Sequence, residues 1–432
     1  MANKHEKIYV NLNLNVRGLP PSATLQINEK SNSLIEQGKT IYKLGLGQSP
    51  FPVPESVVEA LRKNAHQKCY LPVKGLPELK EAVASYNMKF QNIKCTGDDI
   101  LIGPGSKELL FLLQLVYYGD LVIPTPSWVS YSPQARIIGR NVQWVPTHSY
   151  NNWRMTPEKL EMICRTDPDR PRILIINYPA NPTGCTYTTD KLKELAEVAR
   201  KYKVVLISDE IYGQIHHKGQ HVSIARFYPE GTIISSGLSK WCGAGGWRLG
   251  TFTFPSSLRW MLDAMAIVAS ETYTATSAPI QYAAIRAFEG GSDIDNYLHH
   301  VRRILRALGK IFYEKTKELK LTLPKPEGAF YLFPDFSEYR LKFREYGVLT
   351  SGEMCKLILD KTGIAMLPGV DFGRPPEELT ARIAYVDFDG TKALEASMQI
   401  YKHNDLDDSF AELYTPNLVK AFKKLKKWLN DL

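Results

Sequence analysis

Between about Asp98 and Pro255, short runs of aliphatic and β-branched residues alternate with stretches in which apolar positions recur every three to four residues. The run Ile100 to Ile102 precedes a helical pattern over Ser106 to Tyr117, and Leu121 to Ile123 leads through a loop to Val142 to Pro146. Ile173 to Asn177 follows, then a helix from about Thr188 to Lys201, then Val204 to Ser208, Thr232 to Ser235 and Gly250 to Phe254 as further strands. Strands alternating with helices in this way predict an α/β fold, a mostly parallel sheet covered by helices on both faces. Ligands of such sheets bind beyond the carboxyl ends of the strands. The polar residues that follow each apolar run are therefore the first place to look for chemistry.

The pattern changes after Pro255. Ser256 to Leu319 is rich in helical periodicity, and the long stretch beginning near Ile294 is placed to connect a large domain to a smaller one. Ala329 to Phe333, Ile364 to Leu367 and Arg382 to Val386 read as strands of a smaller α+β unit, completed by an N-terminal segment. The expected division is an N-terminal arm with part of the small domain over residues 1–60, a large domain over 61–310 and the small C-terminal domain over 311–432. From Asn417 onward, Leu418, Phe422, Leu425, Leu429 and Leu432 share one helical face and five lysines lie elsewhere. Such a helix binds a membrane or a partner, or docks on its own domain.

Composition narrows the class without naming it. Apolar residues make up 44% and charged residues 23%, ordinary values for a soluble globular chain able to bury a sizeable core. The net charge of +9 comes without zinc-finger spacing, a recognition-helix pattern or a long basic run, so nucleic acid is not an expected partner. Six scattered cysteines with no CxxC pair suit reduced thiols in a cytoplasmic protein and imply no metal. The N-terminus has no apolar signal core, and nowhere do the roughly eighteen apolar residues of a membrane span run together.

The densest chemical signal is Gly237 to Gly250, where Lys240 lies in a small-residue loop eight positions before Arg248. A lysine so placed can form a Schiff base with a carbonyl cofactor while the arginine grips a phosphate, and the glycines admit close backbone approach. Asp209 directly follows an apolar strand and can pair with a protonated ring nitrogen; Tyr212, three residues on, can reach a ring oxygen. Asn181 sits in the Pro- and Gly-rich turn of Asn177 to Gly184, again after an apolar strand. Gly105, Ser106 and Lys107 open a helix, where backbone N–H groups can hold an anion. Trp128 can stack on a ring face or simply fill core. Each of these features has an ordinary structural reading by itself; their order along the chain is what gives them weight.

Together these motifs resemble the class I aminotransferases of fold type I, from about Leu44 to Asp389. The resemblance implies a pyridoxal 5'-phosphate enzyme with an L-amino acid and a 2-oxo acid, such as 2-oxoglutarate, as substrates, working by a ping-pong mechanism. Lys240 would be the Schiff-base lysine and proton shuttle. Asp209 would meet the pyridine nitrogen, Asn181 and Tyr212 the ring oxygen, Trp128 the ring face, and Gly105, Ser106, Lys107 and Arg248 the phosphate. Tyr70, in a segment similar to the family's Tyr and Gly spacing, would reach the phosphate of a neighbouring subunit, which implies a homodimer with shared sites. Arg382 would grip the substrate carboxylate in a bidentate pair, with Gly47 and Asn181 beside it.

The chain also departs from the family pattern. Gly237 stands where many members carry a phosphate-binding serine, leaving that contact to backbone, to Ser239 or to nothing. No acidic residue lies near Gly47, and no second cation follows Lys107 along its helix. The same cofactor motifs would serve a lyase, a decarboxylase or a cyclopropane-forming synthase. A non-catalytic ligand sensor is the reading from another class, and such sensors carry an upstream DNA-binding domain for which about forty residues are too few.

Overall fold

The computed structural model describes residues 11–400 and 404–432; the first ten residues of the expected N-terminal arm lie outside that range. In chain order the strands are β1 (Tyr42–Lys43), β2 (Ile100–Gly103), β3 (Asp120–Thr125), β4 (Val142–Pro146), β5 (Arg172–Asn177), β6 (Val205–Asp209), β7 (Thr232–Gly237), β8 (Gly250–Thr253), β9 (Tyr331–Leu332), β10 (Ile364–Ala365), β11 (Leu367–Pro368) and β12 (Ala381–Ala384). Seven of them form one sheet in the order β2-β8-β7-β6-β5-β3-β4. The pairs from β7 through β4 are parallel, and β8 runs antiparallel to both β7 and β2. The sheet is thus mostly parallel, as the alternating pattern predicts.

Strand periodicity explains how one sheet feeds two cores. Ile173 and Ile175 of β5 and Ile207 of β6 pack with Leu109, Leu112 and Met265 on one face. Leu174, Ile176 and Leu206 turn to the other, where Leu160, Leu192 and Leu195 meet them. Because successive side chains of a strand point to opposite faces, a strand covered by helices on both sides must be apolar throughout. That is why these strands read as unbroken apolar runs.

Local predictions hold with two corrections. The connection between β3 and β4, expected as a loop, contains a helix over Tyr131–Ile137. The expected strand Ile364 to Leu367 is two: β10 pairs parallel with β1, while β11 joins β12 and β9 in a separate antiparallel sheet. The β1–β10 pair ties the N-terminal segment to the C-terminal unit.

The long helix Ser292–Lys317 buries Leu298, Val301, Leu305, Leu308 and Phe312 along one stripe. The C-terminal helix Pro416–Asp431 docks on its own chain: Leu418, Phe422, Leu425 and Leu429 are buried, and the Phe422 ring lies 4.7 Å from that of Phe312. Its lysines face outward, and Lys426 pairs with Glu318 at 2.7 Å. Among the described residues no helix is long and apolar enough to cross a membrane.

Candidate active site

The residues singled out by sequence converge where the strands of the large sheet end. A cavity of about 540 Å³ is lined by Gly47, Ser106, Lys107, Trp128, Asn181, Asp209, Tyr212, Lys240, Arg248 and Arg382. Two predicted residues are not part of its wall. Gly105 backs the Arg248 side chain, and Tyr70 is 93% exposed on the surface.

Asp209 closes β6 and is buried. Its carboxylate accepts hydrogen bonds from Tyr131 Oη at 2.5 Å, from the Ile211 N–H at 3.4 Å and from Ser235 Oγ at 3.5 Å. All three donors are neutral and no cation pairs with it among the described residues, so burial dominates and raises its pKa to about 6. A buried carboxylate without a counter-ion, facing a cavity, suits a cationic ligand atom.

Lys240 projects from the turn after β7, and its Nζ donates to the Gly47 carbonyl at 2.7 Å. Burial, then Arg382 and Arg248, disfavour the charged ammonium and lower its pKa to about 8. The amine is therefore deprotonated in a useful fraction near neutral pH.

Arg382, on β12, is 1% exposed. Its Nη1 donates to Asn181 Oδ1 at 2.9 Å and its Nη2 to the Gly45 carbonyl at 2.6 Å. The guanidinium is sandwiched near Tyr331 and Phe372, with ring centroids at 4.7 and 5.1 Å. Its Nε has no acceptor, and no carboxylate pairs with it among the described residues. Burying a guanidinium against neutral acceptors alone is costly, and a ligand carboxylate would complete it. Because Asn181 Oδ1 takes the arginine bond, the Asn181 amide nitrogen keeps its donors to spare; the Asn181 backbone N–H is anchored on Asn177 Oδ1 at 2.7 Å.

Opposite this end, the helix Ser106–Val116 begins with Gly105 as N-cap at φ 91, and no side chain caps it. Its first N–H groups lack helical acceptors and carry the positive end of the helix dipole. Arg248 adds a guanidinium, held in a left-handed conformation at φ 56 with Nη1 on the Gly245 carbonyl at 2.8 Å. A Cβ on Gly105 would lie 2.2 Å from Arg248 Nη2, which a swing of that flexible side chain could relieve, so it is the positive φ that favours glycine there. Lys107 Nζ lies 5.5 Å from the Trp128 ring centre, and partial burial and Arg248 lower its pKa. Trp128 is half-buried, with one edge against the core and one on the cavity.

Three contributors escaped the sequence reading. Tyr331 on β9 shares a 2.7 Å hydrogen bond with Tyr212 Oη, and a Cβ on Gly47 would sit 2.2 Å from its hydroxyl. Tyr131 holds Asp209 and lies three residues after Trp128 in the same segment, which is a legible signal. Ser235 is buried inside β7 and carries no sequence signal. The departure at Gly237 has a steric cause: a Cβ there would come 2.6 Å from the Leu249 carbonyl oxygen, and the cavity instead receives Ser239.

Comparison with known proteins identifies the family. The family model for aminotransferase class I and II matches residues 39–391. An aspartate aminotransferase of Geobacillus stearothermophilus is 34% identical over 395 residues, 89% of this chain and 96% of that protein. An asparagine–oxo-acid transaminase of Streptococcus mutans is 30% identical over 84% of this chain and 92% of its own length. The structure of an aspartate aminotransferase from Thermus thermophilus with maleate superposes with a TM-score of 0.82 at 28% identity, covering 97% of this chain and all of that one. With its motifs gathered in one cavity and its relatives matching over most of its length, the chain belongs to the class I and II aminotransferases.

Proposed function

We propose that the protein binds pyridoxal 5'-phosphate in this cavity and uses it to move the amino group of an L-amino acid to a 2-oxo acid, with aspartate as the donor to test first and 2-oxoglutarate as acceptor. The relatives' names supply aspartate and asparagine as donors. The observation that carries the reading is the charge arrangement: a half-buried amine, a buried carboxylate and a buried guanidinium share one cavity, and among the described residues neither buried group forms an ion pair.

These residues fit the cofactor. Lys240 would hold its carbonyl carbon, Asp209 its ring nitrogen, Asn181 and Tyr212 its ring oxygen, and Trp128 its ring face. Gly105, Ser106, Lys107 and Arg248 would take the phosphate, joined by Tyr70 from the other subunit of a homodimer; exposure of Tyr70 suits that role. When bound, pyridoxal 5'-phosphate supplies an electron sink that acidifies the substrate's α-proton.

The rest is done by the chain itself. Arg382, reinforced by Gly47 and Asn181, would bind the α-carboxylate through two parallel hydrogen bonds and so aim the α-carbon at Lys240. Lys240, its pKa lowered to about 8, would take the α-proton and return it, as a general base and acid does. Asp209, paired with a positive ring nitrogen, would stay ionised. Residence in the cytoplasm and the division into domains at 1–60, 61–310 and 311–432 complete the proposal, the second supported by the β1–β10 pair.

The test is spectroscopic. The cofactor-loaded protein is expected to absorb near roughly 400 nm, as a lysine-bound pyridoxal does, and aspartate should convert that band. Adding 2-oxoglutarate should restore it. Ammonia and pyruvate released, without any added 2-oxo acid, from an amino acid that carries a leaving group on its β-carbon would favour a lyase, and a band that no amino acid alters would favour a sensor.

A further inference from the structure

A second cavity, of about 560 Å³, opens beside the start of the helix Thr189–Lys201, the loop after Tyr212, the helix Ser292–Lys317 and residues 405–406. None of the residues lining it lines the catalytic cavity. Five cationic side chains surround it, Lys218, Arg303, Arg306, Lys310 and Lys325, against two carboxylates, Glu327 and Asp405. Glu327 is already engaged, with Oε2 3.3 Å from Arg154 Nη2 and accepting from the Thr186 N–H at 3.4 Å. Among the described residues Lys218, Arg306, Lys310 and Lys325 form no ion pair.

The site is built rather than merely charged. Arg306 and Lys310 stand four residues apart on one helix, with Ala307 leaving the wall low between them. Like charges at that spacing destabilise a helix, so their pairing has no local structural reason. Arg303 is buried and anchored: Nη1 donates to the Ser397 carbonyl at 2.8 Å and the Ile400 carbonyl at 3.1 Å, and Nη2 to the Asn404 carbonyl at 2.6 Å. The floor is His216 and His217, both buried. His217 Nε2 donates to the Ala329 carbonyl at 3.1 Å, and His216 Nδ1 accepts from the N–H groups of Lys218 at 3.2 Å and Gln220 at 3.3 Å, which fixes the loop presenting Lys218. Burial keeps both imidazoles neutral, with pKa values lowered to about 4, so the positive charge is that of the lysines and arginines alone. Concave walls concentrate the field of such a cluster.

We propose that this cavity binds a compact, multiply charged anion, a small metabolite carrying two phosphates or several carboxylates, at a site separate from the catalytic one. The experiment is isothermal titration of the cofactor-loaded enzyme with inorganic pyrophosphate and, in a second arm, with citrate, against sodium chloride of matched ionic strength. Saturable binding beyond the chloride background is expected. The double variant Arg306→Glu, Lys310→Glu should weaken it by about tenfold or more, because two attractive charges become repulsive. The pair Lys218→Ala, Lys325→Ala is a milder second test of the same prediction. Transamination rates should be unchanged in both, since none of the four side chains touches the catalytic cavity. Tighter binding of pyrophosphate assigns the phosphate class, and tighter binding of citrate the carboxylate class. Heat no greater than that of chloride, or affinity unaltered in both variants, would overturn the proposal.

Discussion

Replacing Lys240 by methionine should stabilise the cofactor-free protein while abolishing its activity. Burial and two neighbouring arginines lower the lysine's pKa from 10.5 to about 8. At about 1.4 kcal/mol per tenfold, that difference means the charged side chain costs the folded state about 3 kcal/mol at pH 7. The 2.7 Å bond from Nζ to the Gly47 carbonyl offsets about 1 kcal/mol, leaving a net gain of about 2 kcal/mol for Lys240→Met. The sign with pH follows from proton binding. Between 8 and 10.5 the unfolded chain holds a proton that the folded protein has released, so the wild type gains stability as pH rises through this window. The advantage of the variant should therefore shrink to less than about 1 kcal/mol at pH 9.5. Reversible urea unfolding of both apoproteins at pH 7 and pH 9.5 measures the gap. A variant no more stable than wild type at pH 7, or a gap that does not close with pH, would refute the claim that Lys240 is held as a disfavoured cation.

Arg382→Lys keeps the charge and loses the planar fork, so kcat/KM for the amino acid should fall by about two to three orders of magnitude, carried mainly by KM; a KM within about threefold of wild type would remove the carboxylate role. Gly47→Ala would place a Cβ 2.2 Å from the Tyr331 hydroxyl and should depress turnover. Adding Tyr331→Phe deletes the nearer atom and should restore part of it, and a double variant no better than Gly47→Ala alone would show that this contact is not the cause. Tyr331→Phe by itself should lower stability by about 1 kcal/mol in a denaturant titration, through loss of the 2.7 Å bond to Tyr212.

Local chemistry was legible wherever a residue and the element that positions it are neighbours in the chain. Asp209, Asn181 and Ser106 each sit at the junction of an apolar run and a turn or helix, and a parallel sheet delivers such junctions to one edge whatever the details of packing. Lys240 and Arg248 were legible for the same reason, being eight residues apart in a single glycine-rich loop. The helix Tyr131–Ile137 was not, because seven residues are too few for a 3.6-residue period to emerge from the noise of a loop. The split of Ile364 to Leu367 into strands of two sheets was hidden too, since hydrogen-bond partners, not the run's own residues, decide it.

What the sequence by itself determined is the order of the elements, the family resemblance and the cast of charged side chains. Only the tertiary structure decided their electrostatic state. Arg382 reaches Asn181 across 201 residues, and Lys240 reaches Gly47 across 193. Closure over those distances removes water from three charged groups without pairing them to one another, and so brings Lys240 down to about 8 and Asp209 up to about 6. Desolvation depends on everything packed around a group, most of it remote in the chain, whereas motif and spacing record only what lies nearby.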